Sequence, residues 1–100
     1  MAICEMIIVE VVPGKLEEFH DFWLKESLPY WEKHGIKHIG SWESMIGTDQ
    51  NEVIRMFEFR DFTHYEQWRK FLAEDEEGKR LRRKLAPYLA HSVRRILRPY

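Results

Sequence analysis

The first segment of the chain, residues 3–12, is apolar on both of its alternating faces. Its sequence, ICEMIIVEVV, is rich in β-branched side chains and runs into Pro13 and Gly14, which is typical of a strand that ends in a turn. Successive side chains of a strand point to opposite faces of the sheet. Because both faces of this strand are mostly apolar, we expect both to be covered.

Residues 15–34 follow helical periodicity instead. Acidic residues crowd the first turns, where the helix dipole favours negative charge. Pro29 disfavours helical dihedral angles at Leu28, so we expect a kink or a short break there. Gly35 then provides a stop. The residues on the side of this helix that we expect to be buried are Leu16, Phe19, Trp23 and Ser27, together with the adjacent Phe22, Tyr30 and Trp31.

The rest of the chain alternates between segments with the two-residue periodicity of strands and segments with helical periodicity. The predicted elements are strands over residues 36–46 and 52–60 joined by a turn over 47–51 (GTDQN), a helix over 63–73, a helical piece that begins at Gly78, and a last strand over 92–98. The order is β-α-β-β-α-β. This order predicts a ferredoxin-like α+β fold, with one four-stranded antiparallel sheet and helices on one face.

One face of such a sheet is bare in a monomer, yet the strands predict an apolar side chain at most of its positions. Large contiguous apolar patches generally mark interfaces. Two copies related by a two-fold axis could cover these faces by packing sheet against sheet. We therefore predict a homodimer.

The length of the chain predicts a single domain over residues 1–100. Hydrophobic residues make up 44% and charged residues 33%, which excludes disordered and disulfide-rich classes. Cys4 is the single cysteine and cannot form an internal disulfide. No apolar stretch approaches the roughly 20 residues of a membrane span, and the N-terminal stretch is too acidic for a signal peptide. We expect a cytoplasmic protein without a membrane partner.

Charge is distributed unevenly between the two halves. Residues 1–50 carry nine acidic residues and four lysines, whereas residues 51–100 carry twelve basic and eight acidic residues. A solvated helix face explains this pattern most simply, and an anionic partner or oppositely charged surfaces that meet on association are the alternatives. Single-strand nucleic-acid binders combine basic grooves with exposed stacking aromatics. The basic run 79–84 has only Tyr88 nearby, on a predicted buried stripe, so we predict no nucleic-acid partner.

Three charged residues, Glu5, Arg55 and Glu58, lie within otherwise apolar strands. A buried charge costs several kcal/mol unless it is paired, so each of them needs a partner. For Arg55, a carboxylate across the sheet is the favoured expectation, and the anionic group of a ligand is the alternative. The aromatic residues either pack the core, which is favoured, or line a cleft between sheet and helices together with Arg55; they are Trp23, Trp42, Tyr65 and Trp68.

Five histidines are present, but none of them has the spacing of a metal site. Glu17 and His20 are three residues apart on the predicted first helix, where a carboxylate can orient a base, although a surface pair is the favoured expectation. His64, at the start of the second helix, is a further candidate base or cofactor ligand. The chain has no nucleophile elbow, phosphate-binding loop or dinucleotide-binding motif, which disfavours covalent catalysis and nucleotide binding.

Several local patterns taken together resemble the NIPSNAP family of the dimeric α+β barrel superfamily. The resemblance rests on the ordered set Pro13-Gly14-Lys15, Pro29, His34-Gly35, Gly40, Trp42, Gly47, Asn51-Glu52-Val53 and Asp61-Phe62, and on the closing segments LAPYL at 85–89 and RILRP at 95–99. Ile7 departs from it, because many members carry a basic residue there, and Glu76-Glu77-Gly78 departs as well. The resemblance implies the fold and the dimer but defines no substrate.

Two functions follow as expectations. The first is a homodimer that binds a small apolar or aromatic molecule without demonstrated catalysis. The second, implied by resemblance to the superfamily, is a cofactor-independent monooxygenase for an aromatic or quinoid substrate. In that enzyme His20 or His64 would act as the base and Arg55 would hold a developing oxyanion. We predict no cofactor and no metal; haem held by one of these histidines is a variant of the second function.

Overall fold

The computed structural model of the protein describes residues 2–47 and 51–100. Its strands are β1 (Ile3–Val11), β2 (Lys37–Glu43), β3 (Glu52–Phe59) and β4 (Leu89–Leu97). Its helices are α1 (Leu16–Phe22), α2 (Leu28–Lys33), α3 (Phe62–Glu74) and α4 (Glu76–Leu85), with a π-helical turn (Trp23–Ser27) between α1 and α2 and a 3-10 turn (Ala86–Tyr88) before β4. Part of the turn predicted over residues 47–51 lies outside the described residues.

The four strands form one antiparallel sheet in the order β2-β3-β1-β4. This is the strand order of the ferredoxin-like fold, so the predicted fold class is confirmed. The first helical stretch connects β1 to β2, and α3 and α4 connect β3 to β4. Both connections cross the same face of the sheet, which leaves the opposite face without helices.

The first helical stretch differs from its prediction at Pro29. Leu28 keeps helical dihedral angles, φ −59° and ψ −46°, so the expected break does not occur. Proline has no amide hydrogen and removes one bond of the helix ladder. The chain accommodates this with the preceding π turn, in which the Leu28 amide donates to the carbonyl of Trp23, five residues earlier. Trp23 and Ser27 are buried in this turn.

Three predicted boundaries also shift. The second strand ends at Glu43, and Ile46, which we placed in it, is 94% exposed. The helical piece predicted from Gly78 begins at Glu76, because the side chain of Asp75 accepts a hydrogen bond from the Gly78 amide at 3.1 Å and caps the helix. The last strand begins at Leu89 rather than at Ser92, since a β-bulge lets Leu89 pair with β1.

Tyr30 of α2 connects the first helical stretch to α4. Its hydroxyl donates a hydrogen bond of 2.7 Å to Asp75, the residue that caps α4. Burial, followed by this bond, raises the pKa of Tyr30, and the same bond holds the pKa of Asp75 below its usual range. Gly78 allows this approach, because a Cβ there would lie 2.8 Å from the Tyr30 hydroxyl oxygen. The contact anchors α4 above the sheet.

The sheet has two different faces. The odd-numbered residues of β1 and β3 face the helices and form the sheet side of the core, where Val11, Phe57 and Phe59 are at most 1% exposed. On the other face, the register aligns apolar side chains in a row across all four strands: Trp42, Ile54, Ile8 and Val93. Trp42 is 51% exposed and Val93 37% exposed. The expectation of an apolar face without helices is therefore met.

Candidate functional site

A cavity of about 370 Å³ lies on the helix-covered face of the sheet. Strands β1, β3 and β4 line it on one side, and the helices line it on the other. Its volume is within the range of about 300–1,000 Å³ that is typical of small-molecule sites. Most of its lining is apolar, including Ile7, Val9, Phe19, Trp23, Leu81 and Leu85. The interior of the domain therefore has room for a small apolar molecule.

Arg55 is the most deeply buried charge on this cavity, with 3% of its surface exposed. Its Nε and Nη2 atoms have no hydrogen-bond partner, and none of the described carboxylates forms an ion pair with it. The guanidinium carbon lies 3.6 Å from the ring centroid of Trp23 and 4.5 Å from that of Phe19. Stacking on two aromatic rings stabilises the cation and leaves its N–H groups available.

Burial lowers the pKa of Arg55 from 12.5 to about 9. The group therefore remains protonated at neutral pH, and a positive charge is present in an apolar interior. The carboxylate partner that we favoured for Arg55 is not found among the described residues, because the β3 neighbours on this face are Val53 and Phe57. The unmet donors instead match the alternative expectation of an anionic ligand group.

Trp23 contributes a further donor. Its side chain is 4% exposed, and its Nε1 atom has no hydrogen-bond partner. Trp23 and Arg55 are in contact and line the same cavity. Buried polar groups are nearly always hydrogen-bonded, so a cluster of unpaired donors next to a cavity is a sign of a missing acceptor.

Glu5 and Glu58, the other two charges within the strands, do have partners. Glu5 is fully buried, forms an ion pair with Arg94 at 2.7 Å and accepts a hydrogen bond from the Tyr65 hydroxyl at 2.9 Å. Burial and the Glu5 bond raise the pKa of Tyr65, so the phenol remains a donor. Glu58 pairs with Lys37 at 3.3 Å on the face without helices. Structural pairing therefore explains these two carboxylates.

Arg94 also lines the cavity, and the pattern of the sequence does not single it out. It pairs in register with Ile7 of β1, which pairs on its other side with Arg55 of β3. The two arginines therefore flank Ile7 on one face of the sheet. The signal that could have found Arg94 is the presence of opposite charges, Glu5 and Arg94, in two apolar strands that the fold makes neighbours.

A second cavity of about 300 Å³ lies between the first helical stretch and β2, and Arg55 and Trp23 line it as well. His20 Nε2 and Glu43 Oε1 form a hydrogen bond at this cavity. The partner of His20 is thus Glu43 of β2, not Glu17, which we had expected from the spacing along the helix. His38 Nε2 and the Ser41 hydroxyl form a second hydrogen-bonded pair there, at 2.8 Å.

The other predicted site residues lie apart from the first cavity. Trp42 lines the second cavity only, and Tyr65 and Trp68 line neither. His64 lines neither cavity: its Nδ1 atom accepts a hydrogen bond from the Arg60 amide at 3.1 Å, and its own amide donates to Asp61. Burial, followed by the charge of Arg60, lowers the pKa of His64. Of the predicted site residues, Arg55 and Trp23 line both cavities, and His20 and Trp42 line only the second.

No group of three or more potential metal ligands occurs within the described part of the chain.

In residues 2–47 and 51–100, no helix has the length and apolar character needed to cross a membrane.

Comparisons with known proteins agree with this architecture. An uncharacterized NIPSNAP domain protein from Burkholderia xenovorans is 26% identical, with a TM-score of 0.89 over 98% of this chain and 94% of that chain. A NIPSNAP family protein from Agrobacterium tumefaciens is also 26% identical, with a TM-score of 0.90 over 100% of this chain and 94% of that one. None of the curated proteins searched matches the chain. A sequence model of the NIPSNAP family matches residues 4–100, and the chain therefore belongs to the NIPSNAP family.

Proposed function

We propose that this protein binds a small molecule with an apolar or aromatic body and one anionic group in the first cavity. The observation that carries the proposal is Arg55, a buried cation without a described carboxylate partner that lines an apolar cavity. An isolated buried charge costs several kcal/mol. A carboxylate or another oxyanion of a ligand would offset that cost by accepting the unpaired N–H groups of Arg55.

The surroundings of Arg55 favour an anion over a neutral ligand. Charge-assisted hydrogen bonds are about twice as strong as neutral ones, and a guanidinium presents parallel donors that match a carboxylate. The rings of Phe19 and Trp23 stack against the guanidinium of Arg55 and fix its orientation, which pre-organises these donors. The rest of the lining offers apolar contacts for the body of the ligand.

Calorimetric titration with decanoate and with decanol, two probes of the same chain length, tests this function. A hydrogen bond to a charged group contributes about 1.5–3 kcal/mol, so decanoate is expected to bind at least about tenfold more tightly. Native mass spectrometry of freshly purified protein checks in parallel for a co-purified acid. Equal affinity for the two probes, or binding of neither, contradicts the proposal.

A homodimer formed through the face without helices is part of the same proposal. The NIPSNAP resemblance implies such a dimer, and the exposed row of Trp42, Ile54, Ile8 and Val93 supplies an apolar contact surface. The neighbouring row adds Met56 and Met6. Packing of two such sheets would remove these side chains from water, at about 25 cal/mol per Å² of buried apolar surface.

Light scattering at micromolar concentration is expected to give twice the mass of one chain. Ile54→Lys places a charge at the centre of the apolar face and should yield a monomer, because an unpaired buried charge is not tolerated in such a contact. Thr63→Lys, on the exposed surface of α3, is the matched control and should remain dimeric. A monomeric native protein, or a dimeric Ile54→Lys variant, rules out this interface.

A second function is supported by the second cavity, where His20, oriented by Glu43, and Arg55 line one space. Such a pair could take a proton from a naphthol and stabilise the naphtholate, which then reacts with dioxygen as a monooxygenase substrate. With 1,5-dihydroxynaphthalene, C10H8O2 + O2 gives the hydroxynaphthoquinone C10H6O3 + H2O. Neither this reaction nor the binding function requires a cofactor.

An oxygen electrode and the colour of the quinone measure this activity against a protein-free control. We expect His20→Gln to lower the rate by about 100-fold, the lower end of the effect of a general base. His91→Gln, at an exposed position of β4, should leave the rate unchanged. Oxygen uptake no faster than in the protein-free control excludes this second function.

A further inference from the structure

We propose that the ligand of the first cavity carries two anionic groups at opposite ends of its apolar body, one bound by Arg55 and the other by Arg69 and Arg82. This inference rests on the function proposed above and names the ligand class of the same site. Its basis is the composition of the lining: four arginines, namely Arg55, Arg69, Arg82 and Arg94, and no aspartate or glutamate among the lining residues.

These arginines come from four different elements that surround one cavity. Arg55 lies on β3, Arg69 on α3, Arg82 on α4 and Arg94 on β4. Arg55 is buried and Arg69 is half-buried, whereas Arg82 and Arg94 also reach solvent. Like charges around one cavity repel one another, so this convergence is unfavourable in an empty cavity. A ligand with more than one negative charge relieves the repulsion, whereas a neutral ligand does not.

Only one of the four charges is neutralised by the described residues. Glu5 pairs with Arg94 at 2.7 Å, whereas none of the described carboxylates forms an ion pair with Arg55, Arg69 or Arg82. Other basic residues of α4 behave differently: Arg80 pairs with Glu26 at 3.0 Å and Lys84 pairs with the same carboxylate. The cationic charge that faces the cavity is therefore left for a ligand.

The positions of the arginines separate two anion subsites. Arg55 and Arg94 flank Ile7 in one row across three strands, so their Cα atoms are about 10 Å apart at the usual strand spacing. Arg69 lies on the side of Arg94, since it is one helical turn after Tyr65 on α3 and Tyr65 bonds to Glu5, the partner of Arg94. Arg55 instead contacts Trp23 and Phe19 of the first helical stretch.

Ile7 provides the apolar surface between the two subsites. It lies between Arg55 and Arg94 in the register of the three strands. An apolar side chain there suits the body of a ligand whose charged ends lie on either side. The site thus matches a dicarboxylate, or a carboxylate with a phosphate or sulfate at its other end, on an apolar chain long enough to span two strand spacings.

Calorimetric titration with decanoate and decanedioate tests this inference, because the two probes differ only in the second carboxylate. We expect decanedioate to bind at least about tenfold more tightly to the native protein, since one charge-assisted contact contributes about 1.5–3 kcal/mol. In the double variant Arg69→Met, Arg82→Met this preference should fall to less than about threefold. Arg83→Met, on the exposed side of α4 and away from the cavity lining, should retain it.

The possible results distinguish failure of the second subsite from failure of the single-anion binding function. If decanoate binds as tightly as decanedioate, or if the preference survives in the double variant, the second subsite is wrong and the single-anion function stands. If neither acid binds, both proposals are wrong. Thermal unfolding of each variant establishes that it is folded before its titration is interpreted.

Discussion

Replacing Arg55 by Met is expected to abolish the preference for an acid over an alcohol without unfolding the protein. The substitution removes a charge-assisted contact, which corresponds to a loss of about 2–3 kcal/mol, or 30- to 150-fold, in decanoate affinity. Decanol binding should change little, because Met retains the apolar contacts with Phe19 and Trp23. Calorimetry with both probes measures the two changes separately.

The stability of the same variant distinguishes a ligand-binding arginine from a structural one. Replacement of a buried charge by an apolar residue of similar volume is often neutral or stabilising, by about 1–4 kcal/mol when it stabilises. Loss of the stacking on two rings opposes this gain by about 1–2 kcal/mol. We therefore expect the free energy of unfolding of Arg55→Met to be within about 1 kcal/mol of the native value, or above it.

Arg55→Lys and Arg83→Met are the matched controls. Lys keeps the charge but not the parallel donors, so decanoate affinity should fall between those of the native protein and Arg55→Met. Arg83 is exposed and lies outside the cavity lining, so its replacement should alter neither affinity nor stability. A variant Arg55→Met that unfolds at room temperature would show that Arg55 is structural, and undiminished decanoate affinity would remove it from the site.

Replacing Arg94 by Met is expected to have the largest effect on stability. Glu5 has no exposed surface, and Arg94 is its only ion-pair partner among the described residues. Breaking a buried pair costs about 3–5 kcal/mol because one charge is left uncompensated. Since the Arg94 side chain is 41% exposed and Tyr65 still donates to Glu5, we expect a loss below that range, about 2–3 kcal/mol.

Chemical denaturation of a double-mutant cycle measures this coupling. Glu5→Gln removes the buried charge while keeping an acceptor for Tyr65, so the pair Glu5→Gln, Arg94→Met should recover most of the stability lost in Arg94→Met. Arg83→Met, at an exposed position of α4, is the control and should cost less than about 0.5 kcal/mol. Additive effects of the two substitutions would contradict a coupled pair.

The secondary structure could be read from local patterns because it depends on neighbouring residues, and the order of the elements then indicated the ferredoxin-like fold. The β-branched run over residues 3–12 and the helical spacing over residues 15–34 correspond to β1 and to the first helical stretch. The error at Leu28 has a local cause as well. Sequence rules describe how proline affects a regular helix, whereas here a π turn, in which Trp23 and Ser27 are buried, precedes Pro29.

The candidate site was only partly predictable. Arg55 and Trp23 stand out in the sequence as an unexpected charge and a large aromatic residue, and both line the cavity. The partner of His20 was not predictable, since Glu43 lies 23 residues away and reaches it only through the packing of β2 beside the first helical stretch. Tyr65 and Trp68 are aromatic in the same way as Trp23, and nothing in their spacing distinguishes core packing from cavity lining.

The sequence by itself determined that one sheet would carry apolar side chains on both faces, because periodicity assigns each residue to a face without knowledge of its partners. Only the tertiary structure decided which buried charges are paired. Glu5 of β1 pairs with Arg94 of β4, 89 positions later in the chain, and no local pattern encodes that contact. Arg55 instead contacts two aromatic rings and no described carboxylate. Pairing depends on distances between residues remote in the chain, and those distances exist only once the sheet and its helices have packed.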